Sequence, residues 1–437
     1  MRIAILDASP ATRERQLAAY LAHLAGALRA DGHEVTALAL RGLDIHTCIG
    51  CLDCFVRTPG ECSRPDDFAR VCRAAVNADF VLWASPLSMG FPSALLKMAL
   101  ERLTEVSLHP YGEVVNDEVH HRPRYDRHPA VGLLLAREDD TDAEDIHLVA
   151  DIIGRSALAV QNRLAFVLLA DAPIEDVVSA VTVSPTTSVP VEQRPGPTIG
   201  VGIVPPGRLT VFNGSPRGRR SNTIRLLDPF LRGFTANPGR SFEIIELIRL
   251  KDAGRFPQAF ADAECVLLGF PLYADSMPGI VKAFIESLGP LRGRVGSPPI
   301  GFLVQGGFPE ATHARHVERY LEKLAARLGS PYLGTIVKGG CEMLRERNAL
   351  HRAVYDALFL NWGMLDRLFE LGRSFGATGR LDPVLLRRLA RLERYPGFLM
   401  PVLRRSGNNP LINHYWNAQL RRHGAFARRS ATPYAAG

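Results

Sequence analysis

Two stretches of this 437-residue chain align with each other without a gap. Residues 263–288 (AECVLLGFPLYADSMPGIVKAFIESL) align with residues 78–103 (ADFVLWASPLSMGFPSALLKMALERL) at an offset of 185 positions. Identical residues pair at this offset: Pro86 with Pro271, Leu87 with Leu272, Lys97 with Lys282 and Glu101 with Glu286. The sequence therefore predicts a tandem repeat of one unit, with a cysteine-rich insertion in the first copy.

Short apolar runs alternate with helical patterns in both halves. Strands are predicted at 3–8, 35–40, 80–84, 130–136, 164–169, 209–212, 242–247 and 264–270. Helices are predicted at 16–30, 66–77, 93–106, 142–158 and 223–234. Nearly continuous apolar strands that alternate with helices are typical of a parallel sheet covered on both faces. The predicted fold class is α/β, with two doubly wound parallel-sheet domains in tandem.

Composition changes mark the domain boundaries. Residues 184–208 are rich in proline and predict a linker between a first domain at 1–183 and a second at 209–340. Residues 341–437 follow an irregular helical pattern with many arginines and predict a helical, basic extension.

The chain shows no pattern of a secreted or membrane protein. Its start runs straight into a strand pattern, and no uninterrupted apolar run reaches the length of a membrane span. A net charge of +7 comes without any nucleic-acid-reading motif. We therefore expect a cytoplasmic protein with reduced cysteines, no membrane span and no nucleic-acid partner.

The loop NGSPRGRRSNT, at 213–223, predicts a phosphate site at a helix N-terminus. Such a terminus presents free N–H groups and a positive dipole end. Five side chains are candidates for the phosphate: Ser215, Arg217, Ser221, Asn222 and Thr223. The alternative is a plain strand-to-helix turn in which Ser221 or Asn222 caps the helix.

Two further loops follow the next strands of the same half. The loop GFPLYADSMPG contains Pro271, Leu272, Tyr273 and Ala274, and the next loop contains Gln305, Gly306 and Gly307. Loops at the carboxyl ends of parallel strands form the ligand sites of open α/β sheets. We expect FMN here, with Tyr273 stacked on the ring and the main chain of 305–307 at its polar edge. No catalytic side chain is required, because the flavin itself accepts the hydride.

These motifs resemble the flavodoxin-like NAD(P)H-dependent FMN reductases, over about residues 1–340. The resemblance implies a five-stranded doubly wound sheet, non-covalent FMN, NAD(P)H as electron donor and usually a dimer. The first repeat departs from the pattern. Its phosphate loop DASPATRERQ lacks glycine, Ser88 stands at the position of Tyr273, and its third loop AREDD is acidic. A second FMN is therefore not expected.

Cys48, Cys51, Cys54 and Cys62 lie close together in the first repeat. Cysteines at this spacing in a compact loop are suited to one iron–sulfur cluster. The segment resembles the cysteine motif of archaeal-type iron–sulfur flavoproteins, which implies a [4Fe–4S] cluster. A zinc site and a redox-active thiol pair are the alternatives.

We expect an FMN-dependent oxidoreductase that passes electrons from NAD(P)H to a quinone, a flavin or a one-electron redox partner. A non-enzymatic flavodoxin-like electron carrier or redox sensor is the alternative, although such carriers are strongly acidic and this chain has a pI near 9.1. The unequal repeats further predict a fused pseudo-dimer, in which the cysteine loop of one repeat faces the flavin of the other. Further oligomerisation is left open.

Overall fold

The chain is built around two parallel β-sheets, one in each of two units. The computed structural model describes residues 1–115, 117–183, 189, 198–345, 356, 361–399, 401 and 410–436. One unit comprises Met1–Glu192 with Phe398–Gly437, and the other comprises Gln193–Gly397. The helical extension predicted at 341–437 is thus divided between the units, and most of the predicted linker lies outside the described residues.

The sheet of the first unit has five parallel strands and one short antiparallel strand. They are β1 (Arg2–Asp7), β2 (Glu34–Ala39), β3 (Phe80–Ser88), β4 (Phe91–Pro92), β7 (Ala130–Ala136) and β8 (Arg163–Leu169). A separate antiparallel hairpin pairs β5 (Leu108–Val115) with β6 (Glu118–Pro123). The parallel strands lie in the order β2-β1-β3-β7-β8, and β4 turns back onto β3.

Six helices accompany this sheet. They are α1 (Ala18–Ala30), α2 (Asp53–Val56), α3 (Phe68–Val76), α4 (Ala94–Val106), α5 (Ala143–Ala159) and α6 (Ile174–Val183). Helices α1 and α6 bury Leu24, Leu28 and Val177 in one core cluster with apolar residues of the sheet. This burial explains why the strands read as continuous apolar runs in the sequence.

The sheet of the second unit has the same strand order as the first. Its strands are β9 (Arg208–Asn213), β10 (Ser241–Glu246), β11 (Val266–Pro271), β12 (Ile300–Gln305) and β13 (Tyr332–Lys338). They are all parallel and lie in the order β10-β9-β11-β12-β13. This order is that of the flavodoxin-like fold. The predicted fold class is therefore confirmed in both units.

Six described helices belong to the second unit, and one more, near the C-terminus, belongs to the first. They are α7 (Asn222–Thr235), α8 (Phe256–Ala261), α9 (Gly279–Ser287), α10 (Arg315–Arg327), α11 (Met364–Thr378) and α12 (Pro383–Leu389), with α13 (Pro410–Arg422) in the first unit. Among the described helices, none is both long and apolar enough to cross a membrane.

Helix α11 is part of the second unit's core, although the sequence suggested an appendage. It packs on α7 so closely that a Cβ on Gly233 would lie 1.9 Å from the Phe369 carbonyl oxygen. A Cβ on Gly372 would lie 1.9 Å from the carbonyl oxygen of Phe230. The two glycines therefore permit a close helix crossing, and α11 completes the hydrophobic core on that face of the sheet.

The positions that align in sequence occupy the same places in the two units. The loops that follow β3 and β11 both pass through the left-handed region of backbone conformation, at Met89–Gly90 and at Ala274–Asp275. Lys97 in α4 and Lys282 in α9 are both fully buried, each beside a glutamate one helical turn later. A duplication stays a prediction, and this correspondence is what supports it.

Candidate functional site

The predicted phosphate loop of the second unit connects β9 to α7. Ser221 is the N-cap of α7, and its Oγ accepts a hydrogen bond from the Ile224 N–H at 3.2 Å. Thr223 is fully buried, and its Oγ1 has no hydrogen-bond partner among the described residues. The first N–H groups of a helix have no partner within the helix. The loop therefore offers a hydroxyl and main-chain donors at one helix end.

Two glycines are required by the path of this loop. A Cβ on Gly214 would lie 2.3 Å from Cγ2 of Val281, and the Gly214 N–H donates to the Gly269 carbonyl at 2.7 Å. Gly218 has a φ of +56°, in the left-handed region that favours glycine. The loop is thus held close against β11 and α9.

The charge around the loop comes from three arginines and one buried glutamate. Arg219 and Arg220 are exposed, and Arg217 is half-buried. Glu246, at the end of β10, accepts a hydrogen bond from Asn213 Nδ2 at 2.7 Å and lies 3.9 Å from Nε of Arg219. The sequence did not single out Glu246, because its contact with the loop depends on strand pairing.

The ring loop follows β11 and folds into a tight turn. Tyr273 and Ser276 exchange main-chain hydrogen bonds, and Ala274 and Asp275 between them have φ values of 49° and 52°. The Tyr273 side chain is half-buried. Leu272 N–H donates to the Gln305 carbonyl at 2.7 Å, which joins this loop to the third loop.

The third loop is held in place by main-chain hydrogen bonds to the last residue of β13 and to the chain that follows it. Gly306 N–H donates to the Lys338 carbonyl at 3.0 Å, and Cys341 N–H donates to the Gly306 carbonyl at 2.9 Å. Two main-chain groups predicted for the flavin edge, the Gln305 carbonyl and the Gly306 N–H, therefore bond within the fold. Gly307 follows them in the same loop.

Asn222, whose predicted contact with the phosphate stays a prediction, bonds to the support of the third loop. Its Nδ2 donates to the Cys341 carbonyl at 2.5 Å, and the residue is only 4 % exposed. The Asn222 side chain therefore joins the start of α7 to the support of the third loop.

The second unit fits a phosphate-bearing cofactor. Ser215, Ser221 and Thr223 lie together in the phosphate loop, and the orphaned Thr223 hydroxyl is a donor that lacks an acceptor. An unpaired buried hydroxyl is costly, and an anionic oxygen would satisfy it. Pro271 to Ala274 lie at the end of β11, which pairs with β9, and Gln305 to Gly307 lie at the end of β12, the next strand in the sheet order.

The corresponding loops of the first unit are joined to one another instead. Arg13 Nη1 donates to the Leu87 carbonyl at 2.6 Å, and Arg13 Nη2 lies 3.2 Å from Oε1 of Glu138. The other oxygen of Glu138 accepts from the Gly90 N–H at 3.3 Å. The N-cap of α1 is Leu17, whose side chain cannot accept a hydrogen bond. This edge lacks the side-chain helix cap of the second unit, whereas its buried Ser9 hydroxyl, like that of Thr223, has no partner among the described residues.

The four cysteines of the first unit lie near one another beside α4. Burial raises the pKa of the Cys54 thiol well above its usual range, and the neighbouring Glu105, Cys48, Cys51 and Cys62 raise it further. Burial also raises the pKa of the Cys48 thiol. Cys62 Sγ accepts a hydrogen bond from the buried Arg102 guanidinium at 3.1 Å, whereas Cys51 is exposed. The segment is thus a group of three half-buried thiols and one exposed thiol, Cys51.

These thiols do not fit a metal site as they are placed. Within the described part of the chain, no group of three or more histidine, cysteine, aspartate or glutamate side chains is positioned to hold a metal ion. The predicted [4Fe–4S] cluster is therefore unsupported, and we derive no reaction step from it.

The C-terminal segment, residues 423–436, packs beside the cysteines. The Cys62 N–H donates to Tyr434 Oη at 3.4 Å, although about 370 residues separate them in sequence. Arg124 donates to the carbonyls of Arg429 and Ala431, both at 3.0 Å. The segment thus covers the cysteine loop from the opposite end of the chain.

Comparisons with known proteins agree with the resemblance seen in the sequence. The sequence profile of the NADPH-dependent FMN reductase family matches residues 1–123. No curated protein matches the chain.

Three solved structures illustrate the structural likeness. An azoreductase from Bacillus anthracis str. Sterne is 16 % identical, with a TM-score of 0.30, over 38 % of this chain and 99 % of its own. An NAD(P)H:quinone oxidoreductase from Methanothermobacter marburgensis is also 16 % identical, with a TM-score of 0.30, over 38 % of this chain and 98 % of its own. The apo form of the NADH:FMN oxidoreductase EMOB is 20 % identical, with a TM-score of 0.28, over 41 % of this chain and 98 % of its own.

The matched residues contain three of the five parallel strands of the first unit, β1, β2 and β3, which are neighbours in the flavodoxin order. Over residues 1–123, the chain is similar to the NADPH-dependent FMN reductase family.

Proposed function

We propose that this chain is an NAD(P)H-dependent oxidoreductase that binds one FMN, in its second unit. Electrons pass from the nicotinamide to a small-molecule acceptor such as a quinone or a free flavin, or to a redox protein. The one-electron route through a cluster is not part of this proposal. The facing arrangement of cysteines and flavin, and any oligomer, stay predictions from the sequence.

The proposal rests on a difference between the two units in the loops at the carboxyl ends of their strands. In the second unit, Ser221 caps α7 and the buried Thr223 hydroxyl has no partner among the described residues. In the first unit, Leu17 occupies the cap position of α1, and Arg13 is paired with Glu138 across the loops. A phosphate is stabilised by a helix N-terminus with hydroxyl donors beside it. The N-terminus of α7 has two such residues, Ser221 and Thr223.

The chain's own residues would bind and orient the cofactor. The N-terminus of α7 and Thr223 would hold the phosphate, with Arg217 and Arg220 supplying positive charge. Tyr273 and the third loop at Gly307 would contact the ring. Bound FMN supplies hydride acceptance from a nicotinamide and electron transfer in one- or two-electron steps.

Replacing Thr223 with valine tests the assignment of the phosphate site. The change keeps the side-chain shape and removes the orphaned hydroxyl, so the fold is expected to lose no stability. A charge-assisted hydrogen bond to phosphate is worth about 1.5 to 3 kcal/mol, which predicts about ten- to a hundredfold weaker FMN binding. Equilibrium titration of the apoprotein, followed by flavin fluorescence, measures the change.

Ser9→Ala is the matched control in the first unit. Ser9 aligns with Ser215 and is fully buried at the start of the first unit's loop. The proposal expects unchanged FMN affinity in this variant. Loss of FMN from Ser9→Ala with full retention in Thr223→Val would place the cofactor in the first unit and end the proposal.

A further inference from the structure

A buried histidine joins the ring loop to the chain that follows the third loop. His313 Nδ1 lies 3.1 Å from Oδ1 of Asp275, and the two side chains are 6 % and 10 % exposed. An imidazole protonated at Nδ1 donates to a carboxylate whether the ring is neutral or charged. We call this contact the His313–Asp275 clasp.

Both ends of the clasp are held firmly. Asp275 lies in the ring-loop turn at a φ of +52°, a conformation that few non-glycine residues adopt. His313 lies in a short 3₁₀ helix, Ala311–Ala314, that follows the third loop. The main chain of that helix is fixed by hydrogen bonds from Ala311 N–H to the Leu392 carbonyl at 2.8 Å and from Thr312 N–H to the Glu393 carbonyl at 3.2 Å.

The surroundings of His313 are acidic and aromatic. Its Nε2 lies 3.9 Å from Oε2 of Glu310, which is almost completely buried. The ring of Phe308 stacks on the imidazole with 5.6 Å between the ring centroids. Phe308 directly follows Gly307, so the imidazole is packed against the third loop as well as bonded to the ring loop.

The clasp therefore sets the spacing between the two loops assigned to the flavin ring. The phosphate loop is fastened separately, through Gly214 and Asn222. We propose that His313 is a positioning residue which, through Asp275, holds these loops at the separation that binds the isoalloxazine ring. The inference rests on the proposed function, and it assigns the clasp to the ring rather than to the phosphate.

Riboflavin, which lacks the phosphate, separates the two roles. We expect His313→Ala and Asp275→Gly to bind riboflavin and FMN about tenfold more weakly, by the same factor for both, since a buried charge-assisted hydrogen bond is lost. Glycine suits the turn at residue 275, and Gly90 stands at the aligned position of the first unit. Asp275→Asn keeps an acceptor oxygen and is expected to keep wild-type affinity.

A double-variant cycle gives a readout that general destabilisation would not produce. If His313 and Asp275 act as one unit, the double variant binds riboflavin no more weakly than either single variant. The visible circular dichroism of the bound flavin should differ from that of the wild type in His313→Ala. It should match the wild type in Asp275→Asn. The Asp275 variants alone carry the test if His313→Ala fails to fold.

The outcomes separate the clasp from the proposed function. Unchanged riboflavin binding in Asp275→Gly, or weakening of FMN alone, overturns the clasp while FMN binding by the wild type preserves the proposed function. A wild-type chain that binds neither flavin ends both. Thr223→Val is the reference for a phosphate effect, because it should weaken FMN and leave riboflavin unchanged.

Discussion

Two buried lysines at aligned positions differ in the burial of their partners. Lys97 Nζ lies 3.4 Å from Glu101, and both side chains are fully buried. Lys282 Nζ lies 2.8 Å from Glu286, which is 26 % exposed. Removing one partner of a buried ion pair leaves an uncompensated charge, whereas water can solvate a partly exposed carboxylate.

Lys97→Met is therefore expected to destabilise the protein more than Lys282→Met. The first change strands Glu101 and should lower the free energy of unfolding by about 3 to 5 kcal/mol. The second should have a smaller effect. Urea unfolding followed by circular dichroism compares the two variants, and equal losses would contradict the burial argument.

The four cysteines should differ in reactivity for the same reason. Cys51 is exposed, whereas burial raises the pKa of Cys48 and Cys54, so these two thiols stay protonated at neutral pH. Only the thiolate attacks an alkylating reagent. Iodoacetamide labelling of the native protein, read by mass spectrometry, should modify Cys51 first. Labelling of Cys54 at the rate of Cys51 would refute this, and the urea-unfolded chain is the control.

The main elements were predictable because their signals are local. The helices α1, α4, α5 and α7 and the strands β1, β2, β7, β8, β9, β10 and β11 begin and end within two residues of their predicted positions. Strand β3 ends at Ser88, four residues beyond its predicted end, and no bounds were predicted for β4, β12 and β13. The hairpin of β5 and β6 was missed, since His109, Pro110 and Gly112 interrupt any regular apolar alternation. Helix α11 was predicted as part of an appendage. Its close packing on α7 depends on Gly372, and a glycine, which is unfavourable in an isolated helix, gives no local sign of such packing.

The loops of the candidate site were also predictable, because parallel strands bring successive loops to one edge of a sheet. The contacts between those loops were not. His313 and Asp275 are 38 residues apart, and Asn222 and Cys341 are 119 apart, so no local spacing indicates either pair. The Arg13–Glu138 pair spans 125 residues and was likewise invisible in the sequence.

The C-terminal segment is expected to stabilise the cysteine loop. Arg124 is 5 % exposed and donates to Arg429, Ala431 and Leu108, each carbonyl at 3.0 Å. Arg124→Met removes these bonds and should raise both the hydrogen exchange of residues 423–436 and the alkylation rate of Cys62. Each hydrogen bond to a charged group contributes about 1.5 to 3 kcal/mol, so exchange should rise at least tenfold.

Arg428→Met is the matched control for this element. Arg428 is exposed and makes one long contact, 3.5 Å from Nη2 to the Arg57 carbonyl. Its removal should leave both readouts unchanged. Equal protection in Arg124→Met and the wild type would show that the segment is held by other contacts.

In the whole molecule, the two sheets share one strand order, but the loops at the carboxyl ends of their strands differ. The second unit keeps a capped helix N-terminus, while the first ties its loops together with Arg13 and Glu138. The first unit instead holds the four-cysteine loop and the C-terminal segment that covers it. The account therefore assigns cofactor binding to one unit of the chain.

An anaerobic titration of the purified chain with NADPH, followed by the visible absorption of the flavin, shows how many FMN the chain binds and whether the nicotinamide reduces them. We expect one FMN per chain, which one equivalent of NADPH reduces fully. We also expect Thr223→Val, and not Ser9→Ala, to lower the flavin content. Two FMN per chain, or a bound flavin that neither NADPH nor NADH reduces, would refute the proposed function.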